Sequence, residues 1–365
     1  MIKIVNVVGA RPNFMKIAPI QREMARYPEM DVHLVHTGQH YDERMSKLFF
    51  NDLQMPKPDT YLNVGSDTHA AQTARVMIEF EKVLNTEKPD LVIVVGDVNS
   101  TAACSLVASK MGIKIAHVEA GLRSFDRTMP EEINRLVTDV ISDFLFVTEQ
   151  SGLDNLKHEG IDDDKVFFVG HVMIDSLIRF FDKAEASTIM DTLQVRPDEY
   201  ALVTLHRPSN VDNRESFVRL LDAFEVIEKD LKIIFPIHPR TRKMIDQLGL
   251  RDKVRAMRNL HLLEPLGYLD FVKLERHAKL LLTDSGGIQE ETTYLGIPCI
   301  TMRENTERPV TVEMGTNMLV GSDTDKIIRE TKNILDGKWK NGQIPPLWDG
   351  KAAQRIVKII SEELS

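Results

Sequence analysis

Leu280-Leu281-Leu282-Thr283-Asp284-Ser285-Gly286-Gly287-Ile288-Gln289-Glu290-Glu291 is the stretch on which the fold turns. Its opening is an apolar run of strand length with no polar face, as expected of a strand covered on both sides in a parallel sheet. The small residues after it start a helix. Ser285, Gly286 and Gly287 would turn backbone N–H groups and a helix N-terminus toward a phosphate. Glu291, about one turn on, is placed to accept hydrogen bonds from ribose hydroxyls.

The same strand, turn and helix recur on either side. Short apolar runs rich in β-branched residues stand at Ile2 to Val8, Val32 to Val35, Leu91 to Val95, Ile113 to Val118 and Leu145 to Val147. After a long amphipathic stretch from Val172 they resume at Ala201 to Leu205, Ile233 to Ile237, Leu260 to Leu263, Leu280 to Thr283, Ile300 to Met302 and Met318 to Val320. Strands alternating with helices mean parallel sheets. The expected fold is therefore α/β, with two Rossmann-like doubly wound lobes facing a central cleft. The expected domains are 1–170 and 171–351, with an amphipathic last helix at 352–365 that packs back on the first lobe.

The 365 residues suffice for two such lobes, and 42% hydrophobic with 28% charged residues is an ordinary globular balance. A net charge of −9 removes the positive field that draws proteins to nucleic acid, but leaves a small phosphorylated ligand open. Cys104 and Cys299 are the only cysteines, so neither a disulfide framework nor a Cys-based zinc site is expected. The chain opens directly on a strand pattern, and no run approaches the ~18 apolar residues of a membrane span. The expected location is the cytoplasm, with no membrane partner.

Ligands of open α/β sheets sit beyond the carboxyl ends of the strands, so those residues carry the functional reading. After the first strand come Gly9-Ala10-Arg11-Pro12-Asn13-Phe14-Met15-Lys16, an anion-binding helix start with two cations and a proline suited to a first turn. The G-x-G-x-x-G fingerprint is absent, which argues against NAD. Two solvated cations remain the plain alternative. Asp97 follows Leu91 to Val95 and Glu119 follows Ile113 to Val118; a carboxylate directly after a buried strand must be paired or functional. Glu131 and Glu132 follow Pro130 at a helix start, where complementing the helix dipole is the bland account.

In the second lobe His206-Arg207 ends a strand, a place for phosphate contact, acid/base work or a structural hydrogen bond. Thr306-Glu307-Arg308-Pro309 supplies a further cation. No metal is expected. His33 and His36 fall on opposite strand faces, and the acids of Asp162-Asp163-Asp164 and Asp323-Thr324-Asp325 fit turns and helix caps.

Taken in order, Gly9-Ala10-Arg11-Pro12 with Lys16, Gly96-Asp97, His117 to Arg123, Pro130 to Arg135, His206-Arg207, Thr283 to Glu291 and Thr306 to Pro309 resemble the bacterial non-hydrolysing UDP-N-acetylglucosamine 2-epimerases across nearly the whole chain. The resemblance implies a GT-B architecture, no cofactor, and UDP and a UDP-sugar as partners; a homodimer is expected. It places Asp97, Glu119, Glu131 and His206 on catalytic positions. Arg11, Lys16, Phe271, Ser285, Gly286, Gly287, Glu291 and Arg308 fall on UDP-binding positions. Gln39, His40, Arg207 and His238 fall where a second, regulatory substrate molecule binds. Leu266 departs from a glutamine found in other members, leaving a uracil contact to backbone alone.

The chemistry is consistent with that resemblance. The C2 proton of a 2-acetamido sugar is not α to a carbonyl, so inversion without NAD requires prior loosening of the C1–O bond. Elimination of UDP to a 2-acetamidoglucal and its re-addition need cations on the diphosphate and carboxylates near C2. The rival activities are a 2-epimerase of UDP-2,3-diacetamido-2,3-dideoxyglucuronate, a hydrolysing epimerase that releases free sugar, a GT-B glycosyltransferase, and a non-catalytic nucleotide-sugar sensor.

Overall fold

Two parallel sheets organise the chain in a computed structural model that describes residues 1–39 and 55–365. The first contains β1 (Ile2–Val8), β2 (Met30–His36), β3 (Thr60–Tyr61), β4 (Leu91–Val95), β5 (Lys114–Ala120), β6 (Phe144–Val147) and β7 (Val166–Phe168), in the order β3-β2-β1-β4-β5-β6-β7. The second contains β8 (Tyr200–Thr204), β9 (Lys232–Pro236), β10 (Leu260–Leu263), β11 (Leu280–Thr283), β12 (Cys299–Thr301) and β13 (Asn317–Leu319), in the order β10-β9-β8-β11-β12-β13. Strand direction is parallel throughout, as between β1 and β4 and between β8 and β11. Both sheets are doubly wound. The strand order reverses between β1 and β4 in one and between β8 and β11 in the other, the place where such folds hold ligands.

The chain divides into two compact units, Met1–Arg179 with Pro346–Ser365, and Phe180–Pro345. The first boundary lies at Arg179, inside the helix Val172–Glu185, rather than at 170. β3 and β7 are two and three residues long, too short to show an alternation in sequence.

In the first unit β4 is buried along its whole length. The helix Asn99–Lys110 is buried on nearly every side between the helices His69–Glu87 and Pro130–Ile141. Its Ser100, Ala102, Ala103, Ser105 and Ala108 are small enough to permit that approach. The terminal helix Ala352–Leu364 buries Ala352, Ala353, Ile356, Val357 and Ile360 and packs on the helix Arg11–Met24. Asp175 caps it, accepting from the N–H groups of Ala352 at 3.2 Å and Ala353 at 2.7 Å. Burial pushes the Asp175 carboxyl up to about 6. The second unit packs Phe217, Phe224, Phe235, Leu282 and Ile300 into one core.

Candidate active site

Three strand ends assemble the carboxylates of the first unit. Asn13 ties two of them together: its Oδ1 accepts from the N–H groups of Gly9 and Ala10, and its Nδ2 donates to the Val95 carbonyl at 3.0 Å. Lys16, one turn further along the same helix and buried, places its ammonium on the carboxylate of Glu119. Gly96 lies beneath them at φ +67°, where a Cβ would come within 3.0 Å of Lys16 Nζ and 3.5 Å of Glu119 Oε2. Arg11 heads that helix, and its side chain lies outside the described residues.

Glu119 is held at φ +74°, a left-handed conformation that costs a non-glycine residue ~1–2 kcal/mol. It sits at an irregularity in the β5–β6 pairing between Val118 and Ala120. A fully buried network on either side holds this shape. Asp139 binds His117 Nδ1 at 2.6 Å, the Gly121 N–H at 3.1 Å and Arg123 at 2.7 Å, while His117 Nε2 faces the Gly96 carbonyl at 2.8 Å. Burial opposes ionisation of Asp139, but His117 and Arg123 outweigh it and hold the carboxyl below its usual range. Gly121, at φ +80°, has no room for a side chain: a Cβ would meet the Gly152 carbonyl oxygen at 2.4 Å.

The paired glutamates of the helix Pro130–Ile141 have different surroundings. Glu132 is buried and accepts from the Ser124 and Phe125 N–H groups and from Arg135, bracing the loop before its own helix. Glu131 is half-buried in the first turn. Arg135 reaches on from Glu132 to Asp97 at 2.5 Å, and Asn134 donates to the Asp97 carbonyl at 2.9 Å. Asp97 and Glu119 are thus both ion-paired.

In the second unit, β8 leads into His206 and β11 into Asp284. The His206 side chain is 42% exposed, and its Nδ1 lies 3.0 Å from the fully buried Asp284 carboxylate. The helix Gly286–Leu295 starts at the next turn. The Ser285 N–H is already given to Thr283 Oγ1 at 2.9 Å, so the donors at the helix start are those of Gly286 and Gly287. Arg308 lies directly over Gly286, with Nη1 2.6 Å from where a Cβ would stand. Glu290 and Glu307 grip its guanidinium, and Glu307 also binds Arg303 at 2.8 Å and approaches Arg207 at 3.7 Å. Arg308, Arg303 and Arg207 thus converge on Glu307. Burial works against charge on Glu307, but Arg308, Arg303 and Arg207 overcome it and hold its carboxyl well below the usual range.

Glu291 is buried and accepts from the Tyr268 hydroxyl at 3.4 Å. Beside it, burial and the Glu291 charge push the fully buried Glu275 carboxyl well above the usual range. Phe271 is half-buried against the same core as Leu266.

Of the residues expected at a regulatory site, Gln39 is buried and accepts from Ser100 N–H at 3.0 Å and Oγ at 2.7 Å. His238 caps the helix Pro239–Gln247 by accepting from the Arg240 N–H, with its ring centroid 5.5 Å from that of His206. Arg207 Nε donates to the Asp284 carbonyl at 3.1 Å. His40 lies outside the described residues. Asp323 caps the helix Thr324–Leu335, accepting from the Lys326 N–H. Sequence reasoning passed over Arg135, Asp139, Asp284, Glu290 and Arg303 as separate contributors. Arg135 alone left a local trace, three residues after Glu132 on one helix face.

A family model described as UDP-N-acetylglucosamine 2-epimerase matches residues 22–361. The UDP-N-acetylglucosamine 2-epimerase of Methanocaldococcus jannaschii is 47% identical over 98% of this chain and 99% of its own length. A crystal structure of that organism's UDP-GlcNAc 2-epimerase in complex with UDP-GlcNAc and UDP superposes with a TM-score of 0.92, covering 99% of this chain and 100% of the other. The UDP-2,3-diacetamido-2,3-dideoxy-D-glucuronate 2-epimerase of Pseudomonas aeruginosa is 40% identical over 99% of both chains. With a family match over most of its length and relatives of this identity, the chain belongs to the UDP-N-acetylglucosamine 2-epimerase family and is a nucleotide-sugar 2-epimerase.

Proposed function

We propose that the chain interconverts UDP-N-acetylglucosamine and UDP-N-acetylmannosamine without hydrolysis, by eliminating UDP to a 2-acetamidoglucal and adding it back. The observation that carries this reading is Glu119: a carboxylate kept in a costly backbone conformation, against a buried ammonium, one strand from the reversal of strand order. Strain of that kind persists where the surrounding network enforces it, and is a common mark of a working residue.

In the first half-reaction the C1–O bond breaks with its electron pair passing to the β-phosphate oxygen of UDP. A carboxylate takes the C2 proton and C1=C2 forms. In the second half-reaction a carboxylate on the other face returns a proton to C2, and the same phosphate oxygen attacks C1. Asp97, Glu119 and Glu131 are the acid/base group. His206, the Gly286 and Gly287 N–H groups and Arg308 stabilise the charge on the departing diphosphate. Lys16 and Arg11 add cations, Ser285 flanks the phosphate, and Glu291 accepts from the ribose, with Phe271 beside the base. The enzyme works in the cytoplasm as a homodimer, and Gln39, His40, Arg207 and His238 contribute to a second, regulatory substrate site.

Turnover of UDP-N-acetylglucosamine in D₂O, followed by NMR, tests the reading: the product carries deuterium at C2, and no acceptor is needed. Retention of the original hydrogen would exclude a carboxylate-mediated exchange. The 40% identity to the Pseudomonas aeruginosa enzyme favours one second reading, the diacetamidoglucuronate sugar. Comparing kcat/KM for both nucleotide sugars decides between them.

A further inference from the structure

We propose that Asp284 is a positioning residue for the epimerisation, fixing the orientation and tautomer of His206 so that Nε2 is the atom presented to substrate. The proposal deepens the functional reading above, in which His206 acts on the diphosphate.

Asp284 directly follows β11 next to the end of β8, where Thr283 and Thr204 stand in register. Its carboxylate is fully buried and accepts from the His206 N–H at 3.0 Å, the Arg207 N–H at 2.8 Å and Asn210 Nδ2 at 3.2 Å. Those donors belong to the loop, so the carboxylate is fixed whether or not the ring is present. The ring then meets it at 3.0 Å through Nδ1. An ionised carboxylate only accepts, so a contact at this distance favours the tautomer with its hydrogen on Nδ1. In the neutral ring this leaves the lone pair on Nε2; in the charged ring it leaves an N–H there. Among the described residues no group accepts from Nε2.

The first unit supplies the contrast. His117 also binds a buried aspartate, but its Nε2 is spent on the Gly96 carbonyl and its side chain is fully buried. His206 likewise turns Nδ1 to a buried aspartate, at 3.0 Å rather than 2.6 Å, and keeps an open end. Among the described residues, the charged or titratable groups near it are Asp284 itself, the neighbouring Arg207, and His238, whose Nδ1 is occupied by the Arg240 N–H.

Asp284→Asn is informative because asparagine has one oxygen for four donors. The backbone N–H groups claim it, and the amide NH₂ then faces Nδ1 and drives the hydrogen to Nε2. We expect kcat to fall about 10–100-fold, as for other residues that orient a working histidine. KM and UDP affinity should stay within about threefold.

A cycle of Asp284→Asn, His206→Gln and the double variant separates positioning from simple support of the loop. If Asp284 acts through His206, the double variant is no slower than His206→Gln alone. Equal losses in both backgrounds would overturn the proposal. So would wild-type turnover in Asp284→Asn. Wild-type turnover in His206→Gln would instead remove the catalytic reading of His206, and the positioning role with it. Should Asp284→Asn not fold, ¹⁵N imidazole shifts of the unsubstituted protein answer directly. At a pH where the ring is neutral, the His206 signals, identified by their loss in His206→Gln, should show hydrogen on Nδ1. Hydrogen on Nε2 would overturn the proposal.

Discussion

Lys16 and Glu119 form an ion pair buried from solvent, one residue on the helix after β1 and the other at the end of β5. Removing only the cation takes a buried positive charge away from a buried carboxylate, at a cost of about 3–5 kcal/mol. Lys16→Met should therefore unfold at markedly lower urea concentration than the unsubstituted protein. The double variant Lys16→Met, Glu119→Gln should recover much of that loss, because the charge that Lys16 offset is gone as well. A double variant no more stable than Lys16→Met would show that the pairing is not what supports Glu119.

Asp97→Asn, Glu119→Gln and Glu131→Gln preserve size and remove basicity. Each should lower kcat by ~10²-fold or more if its carboxylate moves the C2 proton. Deuterium uptake into substrate should fall in parallel. A variant that loses epimerisation but keeps full C2 exchange would place its residue on the return of the proton to the opposite face.

Gly286→Ala sets a methyl group 2.6 Å from Arg308 Nη1 and 2.9 Å from its Cζ. The guanidinium cannot give way freely, because Glu290 and Glu307 hold it from two sides. Relieving such overpacking costs about 1–3 kcal/mol, so calorimetry should show UDP binding weakened by about tenfold or more. Unchanged affinity would mean that Arg308 does not touch the nucleotide.

Asp175 should make stability depend on pH in a direction opposite to that of most carboxylates. Its folded value of about 6 lies above the ordinary 3.8, so between those limits the folded state holds the proton more tightly than the unfolded chain. The stabilisation is present below about pH 4 and lost as pH rises through about 6, by at most about 3 kcal/mol. Asp175→Asn abolishes the titration. The stability of the unsubstituted protein relative to this variant should fall between pH 4 and pH 7; a flat difference would show that Asp175 does not titrate there.

The amino-acid sequence alone determined where the long strands run and which polar residues stand at their ends. Leu91–Val95 and Leu280–Thr283 are runs with no polar face, and burial on both sides is encoded residue by residue. The same local signals placed Lys16, Asp97, Glu119, His206 and Gly286 after those strands. Partner choice needed tertiary structure. Glu119 meets Lys16 across 103 positions, and Asp284 meets the N–H of His206 across 78, because parallel crossovers bring distant strand ends together. Glu131 and Glu132 are adjacent and chemically alike, yet only Glu132 is consumed by the Ser124–Phe125 loop and Arg135. No local pattern separates them, since the difference is 100° of helix rotation set against a loop that packing alone positions. The left-handed backbone of Glu119 was equally hidden: glutamate does not favour it, and only the buried His117–Asp139–Arg123 network around the bend holds it there.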